Sequence, residues 1–229
     1  MPVYQVHPKK RKTLDIFDRL SLTSILIIIN VLVFFVFYLV ISIGGFSLEQ
    51  AYNYVAIKPS NIVEGNYIWT FITSMFMHGG FAHLLFNMIT LFFVGGLVEK
   101  ILGKTRYFWF YMLSGVFASL LFVTLSLFLF PSEFDLFAVG ASGALFGIVG
   151  LLVIITPNLP VFVMLIPLPI KMKYAGPGFL FVLWLISIAA NLPVGNTAHL
   201  GGLIAGLGYG FYLKKKFPRK TQQISRMFS

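Results

Sequence analysis

An all-α polytopic membrane protein, a bundle of six membrane-crossing helices, is the fold that three features of this sequence predict. The 229 residues are 58% hydrophobic and only 10% charged, with a mean hydropathy of +0.90. A soluble domain carries about 25% charged residues, so there is too little polar surface here to cover a water-soluble globule. The apolar residues gather into runs of membrane-crossing length, and the charges between those runs sort by sign. Composition thus excludes a cytosolic enzyme, a disordered regulator and a coiled coil.

A helix needs roughly 20 apolar residues to cross a bilayer. Residues 22–43 and 107–130 meet that without a charge, and residues 81–97 come close to the lower limit. Residues 141–156, 175–190 and 199–213 are shorter and rich in glycine, as helices packed inside a bundle are. Residues 159–170 are apolar too, but Pro160, Pro167 and Pro169 argue against a regular helix. The long connection from Gly44 to Met77 carries Tyr52, Tyr54, Tyr67 and Trp69, a mix expected of a segment lying in the membrane interface.

The net charge of +10 comes from 17 Lys and Arg against 7 Asp and Glu. In a soluble protein it would raise nucleic-acid binding, but here the basic residues flank apolar spans and face lipid. Lys9, Lys10, Arg11, Lys12 and Arg19 precede the first span, and Lys214, Lys215, Lys216, Arg219, Lys220 and Arg226 follow the last. Lys100, Lys104 and Arg106 lie between spans two and three, Lys171 and Lys173 between spans four and five. The opposite connections hold Glu49, Glu64, Glu133 and Asp135, with Lys58 as their one basic residue. The positive-inside rule then puts both termini in the cytoplasm, which an even number of spans requires. Residues 1–20 and 214–229 read as basic cytoplasmic tails around a membrane domain at 21–213. The first tail is too long and basic for a clean signal peptide, so the first span is expected to be retained. No internal repeat suggests a transporter of inverted halves, and the absence of cysteine excludes disulfides and thiolate metal sites.

The polar residues that hydrocarbon would reject carry the functional reading. His78, His83 and His199 lie at or near span starts; any one alone could be an interfacial residue wetted by water. Spans two, four and six all run inward from the outer face, however, so His83, Asn87, Ser142 and His199 share one depth. His83 and Asn87 are i and i+4 on one helical face. Gly143, Gly147 and Gly150 follow Ser142, while Gly202, Gly206 and Gly210 follow His199. Two glycine-lined helices can approach closely, bringing Ser142 and His199 within reach as nucleophile and base. Ser142 within Gly140-Ala141-Ser142-Gly143 could be an ordinary small residue. Its place at a helix start adds free N–H groups able to receive an oxyanion. Phe146, one turn on, could brace an imidazole. An aspartyl mechanism finds no pair of carboxylates well inside the spans, and a zinc mechanism finds no HExxH pattern.

At these residues the sequence resembles the rhomboid family of intramembrane serine proteases, over roughly residues 20–213. The resemblance rests on His78, His83 and Asn87 in span two, Gly-Ala-Ser-Gly at 140–143, and Ala198-His199 followed by the glycine seam. It implies a six-helix rhomboid-like bundle with Ser142 as nucleophile, His199 as general base and His83 and Asn87 stabilising the oxyanion with the Ser142 amide. His78, Gly140, Gly143 and Phe146 would support the site. No cofactor or metal is implied, and the expected partners are the lipid bilayer and single-span membrane proteins that unwind near the outer interface. Glu99, after Gly95 and Gly96, also fits the family. Thr70 after Trp69 departs from it, because an arginine is frequent there. A six-span chain with short tails suggests a prokaryotic plasma membrane. Two other readings stand beside this one. A catalytically inactive rhomboid-like protein that binds membrane clients would lack Ser or His at these positions. A small transporter or channel would carry polar groups through the full bilayer depth, whereas here the inner halves of the spans are nearly all apolar.

Overall fold

A computed structural model describes residues 20–45, 47–163, 168–190 and 195–228. The expected tail at 1–20 lies, apart from Leu20, outside them. Helices occupy each of the six apolar regions: α1 (Leu22–Gly44), α5 (Phe81–Leu102), α6 (Lys104–Phe128), α7 (Ser142–Ile155), α8 (Met172–Ala189) and α9 (Asn196–Lys216). Among the described residues α1, α5, α6 and α8 are long and apolar enough to cross a membrane; α7 is a shorter apolar helix of 14 residues. The connection after α1 folds into three short helices, α2 (Leu48–Val55), α3 (Pro59–Val63) and α4 (Thr70–Thr73). A capping box at Ser47 and Gln50 starts α2, and Pro59 at the first position starts α3. After α7 the proline-rich stretch forms a short antiparallel pairing, Pro160 with Lys171 and Val161 with Ile170. The supposed C-terminal tail is helical: α9 runs through Lys216, and α10 (Pro218–Arg226) follows with Thr221 buried.

Burial reverses the pattern of a soluble protein. In α1 the protein-facing stripe is Thr23, Leu26, Asn30, Phe34 and Phe37, while Ile28, Leu32, Phe35, Leu39 and Ile43 point outward. With lipid on the outside, apolar burial drives little, and packing with satisfied polar contacts holds the bundle. The most extensive helix pair is α7 with α9, and α6 packs on both. A Cβ on Gly202 or Gly206 would run into the backbone carbonyls of Gly143 and Gly147 respectively. The expected face of α7 needs one correction. A Cβ on Gly143 or Gly147 would meet α6 instead, at 2.8 Å from Ala118 Cβ and 2.6 Å from Ser114 Cβ. Gly143 and Gly147 of α7 thus admit α6, Gly150 faces the α9 backbone at Leu203, Gly202 and Gly206 of α9 admit α7, and the three helices close into one unit.

Glu99 ties the other two helices, α1 and α5, to each other. Span two continues past residue 97 to Leu102, which carries Glu99 into the bundle. Its carboxylate accepts from the Leu22 N–H at 2.7 Å, the Thr23 N–H at 2.8 Å and the Thr23 hydroxyl at 2.7 Å. These donors open α1, where a negative charge also meets the positive end of the helix dipole. Within α5 a π-helical turn spans Leu91–Gly95. A Cβ on Gly95 would lie 2.5 Å from the Tyr107 hydroxyl of α6, so this turn accepts only the smallest residue beside that ring.

Candidate active site

The site is built from three helix starts and the turn before α7. Ser142 is the first residue of α7, so its N–H lies in the turn that has no intrahelical acceptor. Ahead of it, Gly140 adopts φ +126°, a conformation that side chains resist. A Cβ there would also sit 2.9 Å from both Cε1 and Nε2 of His83 and 3.5 Å from Ser142 Oγ. Gly140 is needed twice, for its backbone and for the space that the His83 ring occupies beside it.

His199, in the first turn of α9, places Nε2 2.8 Å from Ser142 Oγ. The two residues are 57 positions apart, and the glycine contacts between α7 and α9 set their separation. The imidazole stacks on Phe146 at 4.7 Å between centroids with an interplanar angle of 26°, and Phe146 stacks in turn on Phe179 of α8 at 6.0 Å and 13°. Nδ1 of His199 is buried and has no hydrogen-bond partner among the described residues. Ring stacking and helix packing are thus the contacts that hold the imidazole plane.

Of the other expected residues, His83 adjoins Gly140, as described, and its ring meets that of His78 edge-on at 5.1 Å. His78 is fully buried ahead of α5. Asn87 is buried one turn after His83, and its Nδ2 donates to the His83 carbonyl at 2.8 Å. An amide nitrogen has two hydrogens, so this bond leaves one to donate. Gly143 serves the contact with α6.

A polar lattice formed with the segment between α1 and α5 supports this turn, and sequence reasoning did not anticipate it. The Gly140 N–H donates to the Ser74 carbonyl at 2.8 Å, and Ile57 and Ala138 exchange backbone bonds at 3.0 and 2.8 Å. Trp69 Nε1 donates to the Tyr54 carbonyl at 2.9 Å and the Thr73 hydroxyl to the Val55 carbonyl at 3.0 Å. Thr70, where the family often has arginine, is buried and bonds to the Tyr67 carbonyl at 2.7 Å. The first outer segment is therefore anchored without an arginine. On the other side of the site the Thr197 hydroxyl donates to Glu133 Oε2 at 2.6 Å. Burial pushes the Glu133 carboxyl above its ordinary pKa, and the Thr197 bond works in the opposite direction.

Residues 65–216 match the Rhomboid domain family. The chain is 31% identical over 207 residues to "RHOMBOID-like protein 7" of Arabidopsis thaliana, covering 81% of this chain and 60% of that protein. It is 31% identical over 190 residues to "Rhomboid protease GluP" of Bacillus subtilis, covering 81% of this chain and 33% of the relative. It is 29% identical over 235 aligned positions to "Rhomboid protein 1, mitochondrial" of Saccharomyces cerevisiae, covering 96% and 58%. The chain thus spans less than two thirds of the length of these relatives. They come from a plant, a bacterium and a yeast mitochondrion, and do not single out the prokaryotic plasma membrane that the short tails suggest. With the domain matched from the first outer segment to the end of α9, on an all-helical membrane fold, this chain belongs to the rhomboid family.

Proposed function

We propose that this protein is an intramembrane serine endopeptidase that cleaves membrane-protein segments with a Ser142–His199 dyad. The observation that carries the reading is the 2.8 Å contact between His199 Nε2 and Ser142 Oγ at two helix starts inside a membrane bundle. That is hydrogen-bond reach for a nucleophile and its base. In the neutral tautomer with the proton on Nδ1, Nε2 accepts the serine proton as Oγ attacks the scissile carbonyl. The carbonyl oxygen becomes an oxyanion beside the Ser142 N–H, the His83 ring and the free hydrogen of Asn87. In a soluble serine protease each such donor is worth about 2.7–4 kcal/mol in the transition state. His199 then returns the proton to the leaving amine, and a water repeats the sequence on the acyl-enzyme.

The substrate reading follows from where the dyad lies. A peptide bond inside a helix is shielded by its own hydrogen bonds, so a target span must unwind to reach Ser142. Single-span proteins with Gly, Pro or other helix breakers near the outer interface fit that demand. With six crossings and both termini cytoplasmic, water reaches Ser142 from the outer face. The chemistry calls for no cofactor.

The test is cleavage of a single-span reporter in liposomes by wild type, Ser142→Ala and His199→Ala. Cleavage by wild type is expected to vanish in both variants while their unfolding midpoints stay within a few degrees. Persistent cleavage by either variant would overturn the dyad. Failure of the wild type on several helix-breaking reporters would favour a client-binding role instead.

A further inference from the structure

Glu133 and Thr197 form a contact that the proposed chemistry does not use. Glu133 ends a short 3-10 turn, Pro131–Glu133, in the loop between α6 and α7, and Thr197 lies in the first turn of α9. The two are 64 positions apart and joined by the 2.6 Å bond from the Thr197 hydroxyl to the carboxylate. Thr197 is fully buried. Half-burying a carboxylate costs solvation, and the Thr197 hydroxyl and the positive end of α9 offset that cost, so the contact holds its two segments together.

What it holds is the start of α9. Thr197 precedes His199 by two residues, roughly 3 Å along the helix axis. The glycine contacts that fix α9 on α7 lie deeper, at Gly202 and Gly206. The His199 ring itself has a stacking partner and the serine, but nothing on Nδ1 among the described residues. The first turn of α9 is held from one side by Asn196, whose Nδ2 donates to Ser187 Oγ of α8 at 2.6 Å. Glu133 holds it from the other side, and Glu133 stands on a loop bound to the rest of the outer face. Next to it the Phe134 carbonyl accepts from Ser60 N–H at 3.0 Å, and further along the loop Gly140 donates to Ser74. The same loop ends in Ser142. One hydrogen-bonded segment therefore carries the proposed nucleophile at its end and meets the helix of the proposed base near its start.

The geometry points to Glu133 as a positioning residue for the dyad, acting through Thr197 to set the height and rotation of His199 against Ser142. This inference rests on the proposed Ser–His chemistry. Misplacement of a reacting group by about 1 Å can cost on the order of a hundredfold in rate. Loss of the bond is therefore read in kcat and in nucleophile reactivity, not in substrate affinity.

The test uses the full chain in detergent micelles with four single variants, one double variant and Ser142→Ala as control. Thr197→Val and Glu133→Ala remove the bond; Thr197→Ser keeps the hydroxyl, and Glu133→Gln keeps an acceptor oxygen. Three quantities are measured: kcat and KM on a single-span reporter, the rate of Ser142 labelling by a fluorophosphonate probe per folded molecule, and the unfolding midpoint. Thr197→Val and Glu133→Ala are expected to lower kcat roughly tenfold to a hundredfold. Labelling should slow in parallel, with KM within about twofold of wild type. Thr197→Ser and Glu133→Gln should retain most of the activity, and the Thr197→Val/Glu133→Ala double variant should be no worse than either single one. The proposal is overturned if Thr197→Val keeps wild-type kcat or if Glu133→Gln loses as much as Glu133→Ala. It is also overturned if folded molecules of the weakened variants label at the wild-type rate, because the contact would then serve stability alone. A Ser142→Ala control that still cleaves would instead sink the dyad, and this inference with it.

Discussion

At the scale of single residues, the unusual demand is on His199, an imidazole that must point one nitrogen at Ser142 with no carboxylate on the other. The aromatic stack of His199 on Phe146, with Phe179 behind it, is what remains to hold the ring plane. Aromatic pairs contribute about 0.5–1.5 kcal/mol beyond their buried area. If that energy selects the reactive orientation, Phe146→Leu should lower kcat by roughly threefold to tenfold with KM little changed, as steady-state cleavage of a reporter would read. An unchanged kcat would mean that the ring only fills space. The stack of Phe146 on His199 was legible because Phe146 falls one turn after Ser142 on the same helix. Glu133 was not, because its partner is 64 positions away and no periodicity links a loop carboxylate to a distant helix start. The role of Thr70 was equally hidden: a departure from a family pattern gives no sign that buried hydroxyls and backbone bonds anchor the loop instead.

At the scale of helices, the proposed dyad makes glycine spacing the feature to test. Gly206 and Gly208 share α9, and they make opposite predictions. A Cβ on Gly206 would strike the Gly147 carbonyl, whereas a Cβ on Gly208 has nothing within 4 Å. Gly206→Ala should push α9 away from α7, lower stability by about 1–3 kcal/mol as overpacking does, and abolish cleavage by separating His199 from Ser142. Gly208→Ala should leave both near wild type. Thermal unfolding and reporter cleavage of the two variants check this directly, and equal behaviour would refute the seam as the device that places the dyad. The four-residue repeat of glycines was readable, since Gly202, Gly206 and Gly210 fall on one helical face. Which neighbour each glycine admits was not, because α7 meets α6 and α9 at once and a one-dimensional repeat does not say which. The helices of the first outer segment escaped detection for a related reason. At eight, five and four residues, α2, α3 and α4 are too short to develop periodicity, and they persist through capping and long-range contacts.

At the scale of the whole molecule, the question is how a chain with one short apolar helix threads the bilayer. The 14 residues of α7 extend roughly 21 Å at 1.5 Å per residue, short of a hydrocarbon core of about 30 Å. Such a helix is tolerated where protein rather than lipid surrounds it, and ten of its residues are buried, chiefly by α6, α8 and α9. Its neighbours shield it from lipid, so its length need not match the membrane. The charge distribution predicts an orientation, with Asp135 and the turn after α8 outside and Lys171 and Lys220 inside. The chain has no cysteine, so each introduced one is a unique reporter. In intact cells, Asp135→Cys and Ala190→Cys should react with a membrane-impermeant maleimide, whereas Lys171→Cys and Lys220→Cys should react only after permeabilisation. All four positions are exposed, so accessibility reads topology rather than burial. If Lys171→Cys labelled from outside together with Asp135→Cys, α7 would not cross. Ser142 would then sit on a re-entrant segment, and the common depth of three helix starts would need another explanation. If Lys220→Cys alone joined the outer set, α9 would be the helix that fails to cross, and His199 could not approach Ser142 from a parallel neighbour. The predicted alternation is thus the topological condition for the 2.8 Å contact on which the chemistry depends.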